Sequence, residues 1–184
     1  MSQLDQLITN YQRHIELTHS LSLPTAQRIW FAVYSPEDER RLQVKLGEFE
    51  LATLDAGYLW RTIDLRGQLT AWFQSVDPDE LPAWFQYPGD IETYSKTQFQ
   101  RRLVNFIRAE MEKAPEPDRT VFALVGLMEL FDYRHLSDIL AELEKSFPGF
   151  LLVFFPGERE ENTYRFLNAR DGWDYLATPI QAEH

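Results

Sequence analysis

TVFALVGLMELFDYRHLSDILAELEKSFPGFLLVFFPG, residues 120–157, writes a strand, a loop, a helix and a second strand in that order. Residues 120–127 are nearly all apolar, as a strand buried on both faces must be. Leu136, Ile139, Leu140 and Leu143 then recur at the spacing of one buried helical face. Phe147, Pro148 and Gly149 end that helix, and residues 150–155 form another apolar run closed by Pro156 and Gly157. A helix between two such strands packs right-handedly onto a parallel sheet, so this stretch predicts a βαβ unit.

Working outward, residues 28–34 (RIWFAVY) read as a first strand, followed by Ser35, Pro36, Glu37 and Asp38. Those four spell a helix start: a capping serine, a proline at the first helical position and two acids at the positive end of the dipole. Leu42, Leu46 and Phe49 carry the buried face of that helix, and Gly57 is placed to stop it. Residues 58–65 return as a strand after a crossover long enough for parallel pairing, which makes a second βαβ unit. Ahead of both, Leu4, Leu7, Ile8, Tyr11 and Ile15 define an amphipathic helix, docked either on the sheet of this domain or on a partner.

Between the two units lies a helical insertion. Residues 69–76 form a short apolar helix, and Asp77 to Glu80 repeat the capping logic, with Asp77 as cap and Glu80 reaching back. A longer helix starts at Thr93 or Ser95, with Phe99, Leu103, Phe106 and Ile107 on one face, and runs out at the proline-rich residues 114–118. The word AWFQ occurs twice, at residues 71–74 and 83–86. Two copies of four residues do not make a solenoid. Trp72, Phe73, Trp84 and Phe85 therefore either cover the sheet as core or form an aromatic patch for a partner. Residues 163–167 and 175–180 read as short strands joined by a turn at Asp171-Gly172, a hairpin at the sheet edge. The expected fold is a single α/β domain over residues 1–184: an open, mostly parallel, Rossmann-like sheet flanked by helices, with a helical insertion and a C-terminal edge hairpin.

Composition narrows the function. The 184 residues are 44% hydrophobic, enough for one substantial core. A formal net charge of −11 argues against a phosphate-binding face, because duplex contacts need clustered Lys and Arg. With no cysteine there is no thiol nucleophile and no thiolate metal site. The N-terminus lacks a secretory pattern and the longest apolar run, residues 150–155, is far short of the ~20 residues that span a bilayer, so a soluble cytoplasmic protein is expected.

Chemistry is harder to find. No Gly-x-x-x-x-Gly-Lys run is present, nor three close glycines after the first strand, nor a Gly-x-Ser-x-Gly elbow. His14 and His19 sit five apart, the wrong spacing for one helical face, and the acid-x-lysine word at Glu142 to Lys145 falls on a helix, where alternating surface charge explains it. Ligand sites in open parallel sheets lie beyond the carboxyl ends of the strands, which nominates Ser35, Asp64, Glu129, Arg134, His135 and Glu158. Each can instead cap a helix or pair with a neighbour. Arg134 and His135, in the loop after the strand that ends at Gly126, suit an anion or an acidic group of a partner. Trp72, Trp84 and Phe85 complete the candidate contacts.

Four segments in register resemble the BrxB family of bacteriophage-exclusion (BREX) defence systems: WFAVYSPEDERRL (residues 30–42), WRTIDLRGQL (60–69), VFALVGLMELFDYRHLSDIL (121–140) and LLVFFPGE (151–158). Gly126 and His135 fall on matched positions. The resemblance implies a small non-enzymatic subunit of an antiphage assembly. It would associate with a PglZ-like protein of the alkaline-phosphatase superfamily, in systems that also carry a large ATPase and an adenine methyltransferase. No cofactor or metal is implied. The competing expectations are a metal-dependent phosphoryl-transfer or nuclease-like enzyme on the same sheet, and a nucleotide-sensing module.

Overall fold

The computed structural model describes residues 2–18, 23–130, 136–160, 163–166, 173–174 and 177–182. Strands β1 (Ile29–Tyr34), β2 (Leu59–Asp64), β3 (Thr120–Val125), β4 (Phe150–Glu160) and β7 (Thr178–Ile180) form one parallel sheet in the order β2-β3-β4-β1-β7. β5 (Thr163–Phe166) runs antiparallel beside the far end of β4, and β6 (Trp173–Asp174) beside β5. The chain is α/β with an open, mostly parallel sheet sheathed by helices, as expected. Among the described residues, no helix is long and apolar enough to cross a membrane.

The unit read from residues 120–157 is present as β3, helix α7 (Leu136–Leu143) and β4, with β3 and β4 adjacent and Val121 beside Phe150. The other unit differs in reach. Helix α2 (Glu39–Asp55) carries the chain from β1 past β4 and β3, so β1 and β2 are parallel members of one sheet but not neighbours. Local pattern fixes the direction of a crossover; its span depends on which strands compete for the centre, and the wholly buried β3 and the buried residues 150–157 of β4 take it.

The pleat divides the core in two. Phe31, Phe122, Leu124, Leu151, Val153 and Phe155 face α7, the insertion and helix α6 (Gln100–Glu112). Trp30, Ala32, Val121, Phe150, Leu152 and Phe154 face α2 and helix α1 (Gln3–Glu16). All five apolar residues of the predicted first helix are buried, so α1 docks on this chain's own sheet. It opens with a capping box: Ser2 Oγ accepts from the Asp5 amide at 3.2 Å, and Asp5 accepts from the Ser2 amide at 2.8 Å. α1 and α2 run side by side in the same direction, linked by Lys45 to Asp5 at 2.8 Å, Tyr11 to Thr53 at 2.6 Å, and the Tyr58 hydroxyl to the Thr18 carbonyl at 2.5 Å. Gly57 ends α2 as expected. Its φ of 85° lets the Tyr58 amide reach the Thr53 carbonyl while its own reaches Leu54.

Several expected starts move. Ser35 does not cap with its side chain; its carbonyl accepts the Asp38 amide in a short turn preceding α2. The insertion holds helices α3 (Gln68–Ser75), α4 (Leu81–Gln86) and α5 (Pro88–Tyr94), and α5 runs into α6 through one wide turn at Ser95–Phe99. The long helix therefore starts at Pro88 rather than at Thr93 or Ser95, because the Ser95 hydroxyl donates back to the Glu92 carbonyl at 2.8 Å instead of capping a new helix. Asp77 accepts from the Asp79 amide at 3.0 Å, closing a turn rather than capping α4. At the C-terminus, residues 178–180 are not the hairpin partner of residues 163–166. β4 overruns the sheet and offers its last residues to β5, whereas Ile180 is buried at the free edge of β1, where Asn10 holds the Gln181 carbonyl at 2.8 Å. The turn proposed at Asp171-Gly172 lies outside the described residues.

Candidate functional site

The carboxyl ends of the strands are the place to look, since there the chain leaves β3 for one face of the sheet and β1 for the other. At the end of β2, Arg66 Nε donates to both oxygens of Asp64, at 2.9 and 2.8 Å, and the Arg66 amide adds a bond of 3.0 Å. Gly126, at the end of the adjacent β3, lies against this pair with φ 78°. A Cβ there would stand 2.8 Å from Arg66 Cγ and 2.9 Å from Asp64 Oδ1. Only glycine fits. Burial alone would raise the pKa of Asp64, but its bonds to Arg66 outweigh that and hold it below the usual carboxylate range. Asp64 is an ionised group with its acceptor sites already used, which suits a strut better than a proton acceptor.

At the end of β1 the Tyr34 hydroxyl donates to Glu39 Oε2, and Gln43 donates to Oε1 at 3.0 Å. Burial, reinforced by the Glu39 carboxylate, pushes the Tyr34 phenol well above its ordinary value, so it stays protonated. Glu39 also favours the charged form of Arg66, after the larger effect of Asp64. Tyr34, Glu39, Arg66 and Asp64 thus form a chain of interactions along the rim. Of the four, only Asp64 is a candidate from sequence. A carboxylate two residues before an arginine at a strand end was the available signal.

Beyond β1 and β4 opens a cleft of about 480 Å³, with Tyr34, Ser35, Asp38, Glu158, Arg159 and Gln181 among its lining. Ser35 and Glu158, nominated separately, meet here; Asp64 belongs to the other end of the rim. Glu158 is exposed and stands opposite Arg165 across the β4–β5 ribbon. Arg134 and His135 lie outside the described residues, as does the side chain of Glu129. Among the described residues, no three His, Asp or Glu side chains gather in metal-binding geometry.

The aromatic candidates divide. Trp72 and Trp84 are 2% and 3% exposed, with ring centres 5.6 Å apart, and Trp72 stacks on Phe99 at 5.1 Å. They are core, and no partner reaches them while the chain is folded. Phe85 points the other way. It is 66% exposed and stacks on the half-buried Phe73 at 6.2 Å, with Tyr87 also exposed nearby in the chain. Asp77, Asp79, Glu80 and Asp90 are exposed along the same segment, and residues 67–95 contain no Lys, Arg or His. No protein-family model, curated protein or solved structure matches this chain.

Proposed function

We propose that this chain is a non-catalytic adaptor that docks a larger subunit through the acidic, aromatic outer face of its insertion. The observation that carries the reading is Phe85: a large apolar ring left in water, backed by Phe73, in a segment where Asp77, Asp79, Glu80 and Asp90 are exposed and residues 67–95 hold no base. Such a surface suits a partner presenting Lys or Arg beside apolar groups, since cations pair with the carboxylates and stack on exposed rings. The use of Asp64 as a strut for the Gly126 turn supports the same reading. The resemblance to the BrxB family nominates a PglZ-like protein as the partner to try first, with the BREX ATPase and methyltransferase as further members of the assembly.

The test is co-purification of the full chain with that PglZ-like protein. Phe85→Ala and Asp79→Lys/Glu80→Lys are expected to weaken capture about tenfold or more, a hot-spot effect of the order of 1.4 kcal/mol or above. Asp64→Asn is expected to leave capture unchanged. Undiminished binding by the insertion variants would overturn the docking face. A phosphoryl-transfer activity lost in variants of Ser35 or Glu158 would favour the enzyme reading, whose support is the cleft that brings those two together.

A further inference from the structure

The outward face of α2 carries an apolar seam that the fold does not use. Leu42, Phe49, Ala52 and Thr53 bury its inner face. On the opposite side Val44 is 85% exposed, Leu51 59% and Leu54 46%, and a Cβ added at Gly47 would meet nothing within 4 Å. Positions 44, 47, 51 and 54 advance by three, four and three, the rhythm of a helix-to-helix seam. Gly47 itself is unexplained within one chain. An exposed glycine in the interior of a 17-residue helix weakens it relative to alanine, and here no backbone or side chain among the described residues needs the space.

Charge along the seam indicates what covers it. Arg40 and Arg41 stand exposed in the first turns, and Glu50 and Asp55 in the last. We propose that α2 pairs antiparallel with α2 of a second copy of this chain, about a two-fold axis beside Gly47. In that register Val44 meets Leu51 of the copy and Arg40 meets Asp55, with Leu54 along the aliphatic stem of Arg41, so one alignment joins the central apolar pair and the outer charges. A parallel pairing would set Arg40 on Arg40 and Asp55 on Asp55. Antiparallel helices also oppose their dipoles favourably, and glycine at the crossing lets the backbones approach. α2 and the insertion cover opposite faces of the sheet, so a pair formed this way leaves both insertion surfaces outward. The contact is one helix pair, below the roughly 1,200 Å² of standard stable interfaces, so the dimer is a weak, concentration-dependent one.

The absence of native cysteine makes the test direct. Full-length chains carrying Val44→Cys and Leu51→Cys, mixed and mildly oxidised, are expected to form the mixed disulfide, with little self-linking by either variant alone. Sedimentation across a concentration series is expected to show dimer in the native chain, loss of it in Leu51→Asp, weakening in Arg40→Asp, and recovery when Arg40→Asp is combined with Asp55→Arg. Leu51 is on the surface, so its replacement leaves the fold intact, which circular dichroism checks. Self-linking by Leu51→Cys alone would establish a parallel pairing and overturn the proposal. So would a native chain that stays monomeric to its solubility limit, or a seam that takes a helix of a different protein in preference to its own copy.

Discussion

The two faces of the sheet are equally dry and differently finished. On one, α1 and α2 lay two long helices over Trp30, Phe150 and Phe154, and their outer side carries both signs: Lys45 closes on Asp5 and Glu48 and Arg41 on Asp38, while Arg40, Glu50 and Asp55 stand exposed. On the other, α6, α7 and the insertion cover Phe122, Leu124 and Phe155 around a Trp72–Trp84–Phe99 cluster, and the outer side of the insertion is mostly acidic: Asp77, Asp79, Glu80 and Asp90 are exposed with no base among residues 67–95, while Glu92 closes on Lys96 at 2.7 Å. Equal burial inside does not imply equal purpose outside. A face carrying both signs suits contact with its own kind, and a mostly acidic face suits a basic partner.

The comparison breaks first if the faces are not one cooperative unit. Phe49→Ala and Trp72→Ala remove one large buried ring from each, and each is expected to cost about 3–5 kcal/mol in urea unfolding. Fluorescence and circular dichroism should still report one shared transition. Separate transitions in Trp72→Ala alone would show the insertion to be a loosely attached layer. A smaller pair of effects tests the glycines. Gly126→Ala strains a left-handed turn and drives a methyl into Asp64 and Arg66, with an expected cost of about 1–3 kcal/mol. Gly47→Ala fills open space in a helix and is expected to stabilise the monomer by about 0.5–1 kcal/mol while weakening self-association. Opposite signs at two glycines would separate the one required by this chain from the one left for a neighbour.

What the sequence disclosed follows from how locally each feature is encoded. β3 and β4 were legible because strands buried on both faces are apolar throughout, and α1 because Leu4, Leu7, Tyr11 and Ile15 repeat at helical spacing. The identity of β1's neighbours was not, since adjacency in a sheet is decided by all strands together. The AWFQ words show the limit most plainly. Trp72 and Trp84 both turn inward, but Phe73 is half-buried and Phe85 exposed, and nothing in the identical tetrapeptides announces that split. Among the strand-end residues, Asp64 was found but its binder Arg66 was not, and Glu39, which touches Tyr34, is contributed by the helix after the strand. The seam on α2 was hidden behind the better-filled face of the same helix.

The finest contrast between the faces lies in their response to pH. His14 of α1 packs edge-on to Trp30, ring centres 4.7 Å apart, and burial holds its pKa below the ordinary histidine value. The unfolded chain therefore binds that proton more readily, so stability is full above about pH 6.5 and declines as pH falls through that range. Carboxylates act lower. Asp5, held down mainly by Lys45 and then by Ser2, and Glu110, held down by Lys113 and Arg61, contribute stability above about pH 4 that is lost as pH falls further. Among the described residues, a histidine is packed only on the α1–α2 side, so their first acid response belongs to it. His14→Gln is expected to flatten the melting temperature between about pH 7.5 and 5.5, and Glu110→Gln only below about pH 4.5. A His14→Gln chain whose melting temperature still falls across the upper window would move the first titration off this face and remove the distinction.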